Sequence, residues 1–161
     1  MGAEGDLVAS RMARGCRGFA AWVDGGIAGY GWLSTRPEWI GELQLEIAPR
    51  PGEGYIWNCV TLPEHRRKGI FRGLLINIPA AMRNEGMSRS WIGSVAIPAE
   101  NAVGSAGFTP ALRFTTITHA DLLWLNVKQP MDTDPSLSAA ACEVLKVRPG
   151  SFLRTSHPRR H

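Results

Sequence analysis

Between Pro63 and Leu75 the chain reads PEHRRKGIFRGLL, with four cations, Arg66, Arg67, Lys68 and Arg72, crowded around Gly69. Apolar residues follow at i, i+3, i+4 spacing (Phe71, Leu74, Leu75, Ile78, Met82), so a helix is expected over about residues 69–85. A helix N-terminus carries roughly +0.5 of an elementary charge, which disfavours each exposed cation there by about 0.3–1 kcal/mol. A bound anion would turn that crowding into attraction. The main-chain N–H groups from Arg67 to Arg72 have no partner within such a helix and can point at the anion. Gly69 lets the backbone come close to it. The chemistry indicated is phosphate binding, with a solvated basic turn as the plainer alternative. Neither GxxxxGK followed by Ser or Thr nor GxGxxG occurs, which argues against a nucleotide triphosphatase and a dinucleotide fold.

The elements around this turn follow from periodicity and punctuation. Residues 4–15 read as a weak helix, with Leu7, Val8 and Met12 on one face and Gly15 as its stop. Phe19–Val23 and Ile27–Ser34 read as a hairpin about Asp24-Gly25-Gly26. A short strand is expected at Glu42–Ile47. YIWNCVTL (55–62) is a continuous apolar run of the kind buried on both faces, and Pro63 ends it. Gly86 suits a helix C-cap, and Pro79 is expected to kink the helix. SWIGSVAI (90–97) reads as a second buried strand closed by Pro98, and a right-handed crossover should join it to the first. FTPALRFTTITHADLLWLNV (108–127) reads as two strands around a His119–Asp121 turn. QPMDTDPS reads as a linker, Leu137–Lys146 as a short helix, and SFLRTSHPRRH as a mobile basic tail. The fold class expected is a mixed α/β or α+β sheet, with residues 1–128 as one domain and 129–161 as a C-terminal extension.

Arg66-Arg67-Lys68-Gly69-Ile70-Phe71 resembles the Arg/Gln-x-x-Gly-x-Gly/Ala signature of the GNAT superfamily of acetyl-CoA-dependent N-acyltransferases. The strand before it and the helix after it match that arrangement. Asn101 followed by Gly107-Phe108 resembles the family's second motif, and the likeness runs over about residues 17–127. It implies a mostly antiparallel central sheet flanked by helices, with two central strands splayed apart. Three features depart from the pattern. Phe71 stands where Gly or Ala is usual, the Asn101–Gly107 interval is short, and it contains no tyrosine to act as general acid. The N-terminal region is also short for the family's first strand and helix, as in a truncated or minimal member.

The resemblance implies that acetyl-CoA, as co-substrate, is held by Cys59, Val60 and Thr61 on the strand edge, by Arg66, Arg67, Lys68, Gly69, Ile70, Phe71 and Arg72 at the turn, and by Asn101. The N–H of Val60 or Leu62 would stabilise the oxyanion, and an amine would attack directly, without an acyl-enzyme. A lysine-like amine of pKa ~10.4 is neutral only about one part in a thousand near pH 7.4, so a base is needed. Glu42, Glu46 and His65 are the candidates, and Ser105 could relay a proton. A thiol of pKa ~8.5 leaves tolerably without protonation. The acceptor expected is a small-molecule or peptide amine, and loops 34–54 carry no pattern that identifies it. A non-catalytic acyl-CoA-binding module is the other reading.

Plainer roles compete for several residues. Cys59 in an apolar strand suits packing as well as attack. His119 and Asp121 suit a solvated turn, and Arg154, Arg159 and Arg160 a solvated end. Trp32, Trp39 and Trp57 could line an acceptor pocket, whereas Trp91 and Trp124 suit a core. The 161 residues, 44% hydrophobic and 20% charged, fit an ordinary globular protein with one core. A net charge of +4 and a pI near 9.3 favour a polyanionic ligand, but basic and aromatic residues are not interleaved as on single-strand nucleic-acid platforms. Cys16, Cys59 and Cys142 show no metal spacing, so no metal site is expected, and a reduced cytoplasmic setting follows most simply. Neither a signal peptide nor a membrane span is apparent. Whether the chain pairs as a homodimer stays open.

Overall fold

The computed structural model describes residues 3–95 and 97–155. In chain order the elements are α1 (Ala3–Asp6), α2 (Val8–Ala13), β1 (Arg17–Val23), β2 (Gly26–Ser34), β3 (Glu38–Ile40), β4 (Leu45–Ile47) and β5 (Glu53–Thr61). A 3-10 turn at Pro63–His65 leads to α3 (Ile70–Asn84), β6 (Arg89–Ile92), α4 (Ile97–Ser105), β7 (Arg113–His119), β8 (Leu122–Lys128), α5 (Pro135–Leu145) and β9 (Gly150–Thr155). The chain falls into two compact units, one of residues up to Arg36 with Pro49–Phe108, the other of Pro37–Ala48 with residues from Thr109 onward. No helix among the described residues is long and apolar enough to cross a membrane.

The first unit is built on a sheet of order β1-β2-β5-β6, antiparallel except for the parallel β5–β6 pair. β1 and β2 close through a two-residue loop, Asp24 (φ 50°) and Gly25 (φ 79°). Positive φ at both residues matches the right-handed strand twist, as the sequence reading anticipated. α3 connects β5 to β6 and buries Leu74, Leu75, Ile78 and Met82 against Leu33 and Ile56. The helix runs on through Pro79, whose missing N–H costs one bond while the buried stripe on both sides holds the turn. At its end the N–H of Gly86 (φ 80°) donates to Arg83 O and that of Met87 to Met82 O, a Schellman closure.

The strand expected at 90–97 is shorter than its apolar run. β6 stops at Ile92, and Pro98 lies within the first turn of α4, where a proline is tolerated. Pairing of β5 with β6 therefore ends at Ile56↔Ile92, although β5 continues to Thr61. The paired end is tied by charge. Glu53, only 4% exposed, accepts from Trp91 Nε1 (2.8 Å), Arg50 (3.0 and 3.2 Å) and Arg89 (3.3 Å).

In the second unit β7, β8 and β9 form an antiparallel sheet, and β3 pairs with β4. Leu45, Leu125 and Val127 make its core, and Asp134 caps α5 by accepting from Ser136 N–H (2.9 Å). The segment read as a mobile tail is β9 over 150–155, because its alternating residues continue the sheet begun by the hairpin at 113–128. Arg154 donates to Gln44 O at 2.9 Å, while Arg159 and Arg160 lie outside the described residues.

Burial alone would raise the Glu53 carboxyl, but the bonds from Trp91 and Arg50 outweigh it and hold the group below its ordinary range. A depressed carboxyl adds stability that is present above the unfolded value of ~4.3 and is lost as pH falls through the folded one. Glu53→Gln should therefore cost about 1–3 kcal/mol at pH 7 in denaturant melts, and the variant should lose less than wild type between pH 5 and pH 3. Equal losses on acidification would remove Glu53 from the acid response.

Candidate active site

The turn that the sequence singles out has two left-handed residues. Arg66 is extended (φ −64°, ψ 155°), Arg67 sits at φ 61° and Gly69, the N-cap of α3, at φ 78°. For arginine that conformation costs about 1–2 kcal/mol. No side chain caps the helix and no acidic residue lies in its first turn. Among the described residues, the N–H groups of Arg67, Lys68, Gly69, Ile70, Phe71 and Arg72 have no hydrogen-bond partner, and the next amide, that of Gly73, is the first satisfied, by Gly69 O at 2.8 Å. Arg66, Arg67, Lys68 and Arg72 are exposed, and none of them is ion-paired among the described residues. A Cβ built on Gly69 would meet no protein atom within 4 Å, so the space over the turn is open.

Next to the turn lies a cleft of about 400 Å³ lined by Cys59, Val60, Thr61, Arg66, Phe71 and Ala99. It occupies the side of β5 that β6 leaves unpaired, and it joins five of the expected cofactor residues to α4. Phe71 also packs against the core beside Leu74 and Ile78, which explains an aromatic residue at a position expected to be small. Thr61 Oγ1 and His65 Nδ1 are buried with no partner among the described residues. Asn101 is exposed on α4, and Ser105 Oγ donates to Asn101 O at 2.7 Å. Gly107 (φ 94°) closes α4, so that Phe108 packs against the core. Glu42 and Glu46 belong to the second unit, where Glu46 faces Lys146 at 4.0 Å.

Strand register corrects one expectation. Leu62 N–H donates to Ala28 O (2.9 Å), and Val60 faces Tyr30 two residues earlier, so both direct their main-chain groups at β2. Thr61, between them, turns its N–H and C=O to the open side. Upstream, Trp57 faces Trp32 while Val60 faces Tyr30, which leaves Asn58 and Cys59 opposite Gly31 alone. This is a β-bulge, with Asn58 at φ 45°. Gly31 accommodates it, since a Cβ there would come within 2.7 Å of Cys59 Sγ.

The bulge turns Cys59 inward against the α3 core, where burial pushes its thiol up to about 12 despite a hydrogen bond from the Trp32 main chain. The packing role is the one this geometry suits. Sequence reasoning missed the polar cluster on the other face of the sheet, where Arg11 is 6% exposed and lies over the rings of Trp32 (5.2 Å) and Trp57 (4.8 Å). Nothing in the spacing of residues 4–15 marks Arg11 as an inward side chain.

The sequence profile described as the acetyltransferase (GNAT) family matches residues 4–108. The chain belongs to that family. The matched span ends at the last residue of the first unit and takes in all four strands of the β1-β2-β5-β6 sheet, together with residues 37–48 of the second unit. Among solved structures the fold resembles an aminoglycoside N-acetyltransferase in complex with CoA (15% identity, 71% of this chain and 90% of that one, TM-score 0.51). It also resembles a Bacillus subtilis acetyltransferase in complex with CoA (19%, 72% and 66%, TM-score 0.50) and a Trypanosoma brucei acetyltransferase (18%, 71% and 77%, TM-score 0.50). No curated protein matches the chain in sequence.

Iodoacetamide at pH 8 should leave Cys59 unmodified in the native protein and label it after denaturation, as mass spectrometry of its peptide would show. Rapid native labelling would mean an accessible, ionisable thiol and reopen a covalent role.

Proposed function

We propose that this chain is an N-acetyltransferase that uses acetyl-CoA as co-substrate and acts in the cytoplasm on a primary amine of a small molecule or peptide, by direct attack. The observation that carries the reading is the run of unsealed amides from Arg67 to Arg72, set among four cations at the positive end of a 15-residue helix. These groups fit a diphosphate, and the adjoining cleft and the unpartnered Thr61 hydroxyl fit a polar arm lying along β5. Acetyl-CoA would supply an acyl group activated as a thioester. Thr61 N–H, on the open side of the strand, is the donor available to a carbonyl oxygen gaining charge. Asn101, exposed on α4, would contact the same arm, and Ser105 is the candidate proton relay. His65, Glu42 and Glu46 are the candidate bases, and of these only His65 lies in the unit that holds the cleft.

The missing tyrosine favours a second reading, a module that binds acyl-CoA without turning it over. α4 carries no tyrosine, and the Ser105 hydroxyl is engaged by Asn101 O. Release of free thiol from acetyl-CoA separates the two. With a panel of amines, including aminoglycosides because one structural neighbour bears that name, thiol release above the amine-free rate is expected. Calorimetric binding of CoA with no release across the panel would support the module.

Gly69→Val should weaken CoA binding at least tenfold, because the new side chain fills the space above the amides. Its own φ strain should lower stability by only about 1–2 kcal/mol. An unchanged CoA affinity in a folded variant would remove the turn from the binding site.

A further inference from the structure

The sheet of the second unit has an edge that nothing blunts. β7 pairs with β8 on one side and, among the described residues, with no strand on the other. Such an edge presents unpaired N–H and C=O groups to any extended chain. Proteins ordinarily block one with a proline, a lysine, a bulge or a very short strand. β7 runs for seven residues, Arg113–His119, in unbroken register with β8, and contains neither proline nor lysine. Thr115, Thr116, Ile117 and Thr118 are β-branched, the side chains that best fit a pleated strand, and every residue from Thr115 to His119 is exposed. An edge of the first unit is managed differently, since β1 carries an irregularity in register between Ala21 and Trp22.

One face of the same sheet leads to this edge. Along β8, Leu123, Leu125 and Val127 are buried, so Leu122, Trp124 and Asn126 lie on the other face. Trp124 stands directly opposite Ile117 on β7 and directly opposite Leu153 on β9. An apolar row therefore crosses all three strands, with Ile117 60% and Leu153 67% exposed. Ile117 is the last member of the row and sits on the open strand itself. Arg113, Thr115 and His119 share its face by alternation, and Asp121 follows in the two-residue turn to β8.

We propose that β7 pairs antiparallel with β7 of a second copy of this chain, about a two-fold axis at Ile117, joining two three-stranded sheets into one of six strands. A two-fold dimer sets the same patch of each copy against the other, which for a strand edge means antiparallel order. Side-chain chemistry selects the register. With the axis at Ile117 the two isoleucines face each other and the apolar rows meet end to end. Thr116 then faces Thr118 of the second copy, a hydroxyl pair suited to cross-strand positions. Arg113 comes beside the turn that carries Asp121 of the second copy, so opposite charges meet at both ends. An axis one residue earlier, at Thr116, would set Ile117 against Thr115 and Arg113 against His119, losing both the apolar contact and the charge match. Seven residues span only about 24 Å, a small edge beside the roughly 800 Å² per partner of a standard interface. The dimer should therefore form reversibly as concentration rises. All the residues involved lie in the second unit and beyond the matched span of 4–108, so the pairing does not rest on the acetyltransferase reading.

Sedimentation equilibrium of the full chain, from low micromolar to near-millimolar concentration, should show the mass rising from 17.6 kDa towards twice that value. Ile117→Lys would bring two like charges together at the axis and should hold the mass at one chain throughout. Leu153→Lys, on the same face but two strands from the edge, should associate as wild type does. Both side chains are exposed, so the variants should fold, which thermal melting checks. Amide hydrogen exchange needs no variant, and protection of residues 113–119 should rise with concentration. Arg113→Asp and Asp121→Arg should each weaken association several-fold, and the double variant should recover most of it; without that recovery the Ile117 register is wrong. A mass that stays at one chain at the highest concentration would overturn the proposal. So would association abolished by Leu153→Lys, which would mean that the apolar rows stack face to face instead.

Discussion

A helix whose first amides are neither capped nor compensated is an electrostatic liability, and in this chain four exposed cations, unpaired among the described residues, deepen it. Placing Arg67 and Gly69 at positive φ brings the chain out of β5 and into α3 with those amides turned to open space. Any acidic N-cap would relieve the repulsion at once, since a carboxylate there is worth about 0.3–1 kcal/mol. Its absence makes sense if the compensating charge comes from a ligand. The cleft, the exposed strand edge and the placing of α4 matter functionally only if that end of the helix holds an anion.

The sheet meets the same requirement by being closed at one end and open at the other. At Glu53 the parallel strands are locked by a buried carboxylate that is matched by two arginines and an indole N–H. A buried anion left without such partners would be strongly destabilising, so the pairing is fixed there. Three residues further on β6 ends, and β5 continues alone with a bulge that reorients its main chain. Gly31 leaves room for Cys59, and Gly29 does the same for the turn, since a Cβ at residue 29 would lie 2.7 Å from both Val60 O and Ile70 Cγ2. Stability is concentrated where the strands meet, and open polar groups where they part.

Local signals were legible and long-range ones were not. The Asp24-Gly25 loop, the stripe on α3 and the Gly86 cap each follow from residues within a few positions of one another, and each forms as read. The run at 90–97 misled because apolar content does not say where a strand loses its neighbour. Only the register with β5 ends β6 at Ile92. The segment 150–155 read as a tail because its partner, β8, lies more than twenty residues earlier. At the N-terminus helical spacing pointed to Leu7, Val8 and Met12, yet Leu7 and Met12 are exposed and Arg11 is the buried residue. Two tryptophans from distant strands, with the Glu4 carboxylate, make that burial favourable, and no local pattern announces the tryptophans. The four cations around Gly69 were legible because they are neighbours in the chain, whereas the Glu4–Asn58 bond was not because its partners lie 54 positions apart.

The most direct test of the unsealed turn is a 1H–15N correlation spectrum recorded while CoA is added to the full chain. The largest shifts are expected at the amides of Arg67 to Arg72 and along Cys59–Thr61, with α5 and β7–β9 little changed. If those amides stay in place while CoA binds, or exchange so slowly with solvent deuterium that protein acceptors must already hold them, the turn is not the phosphate site.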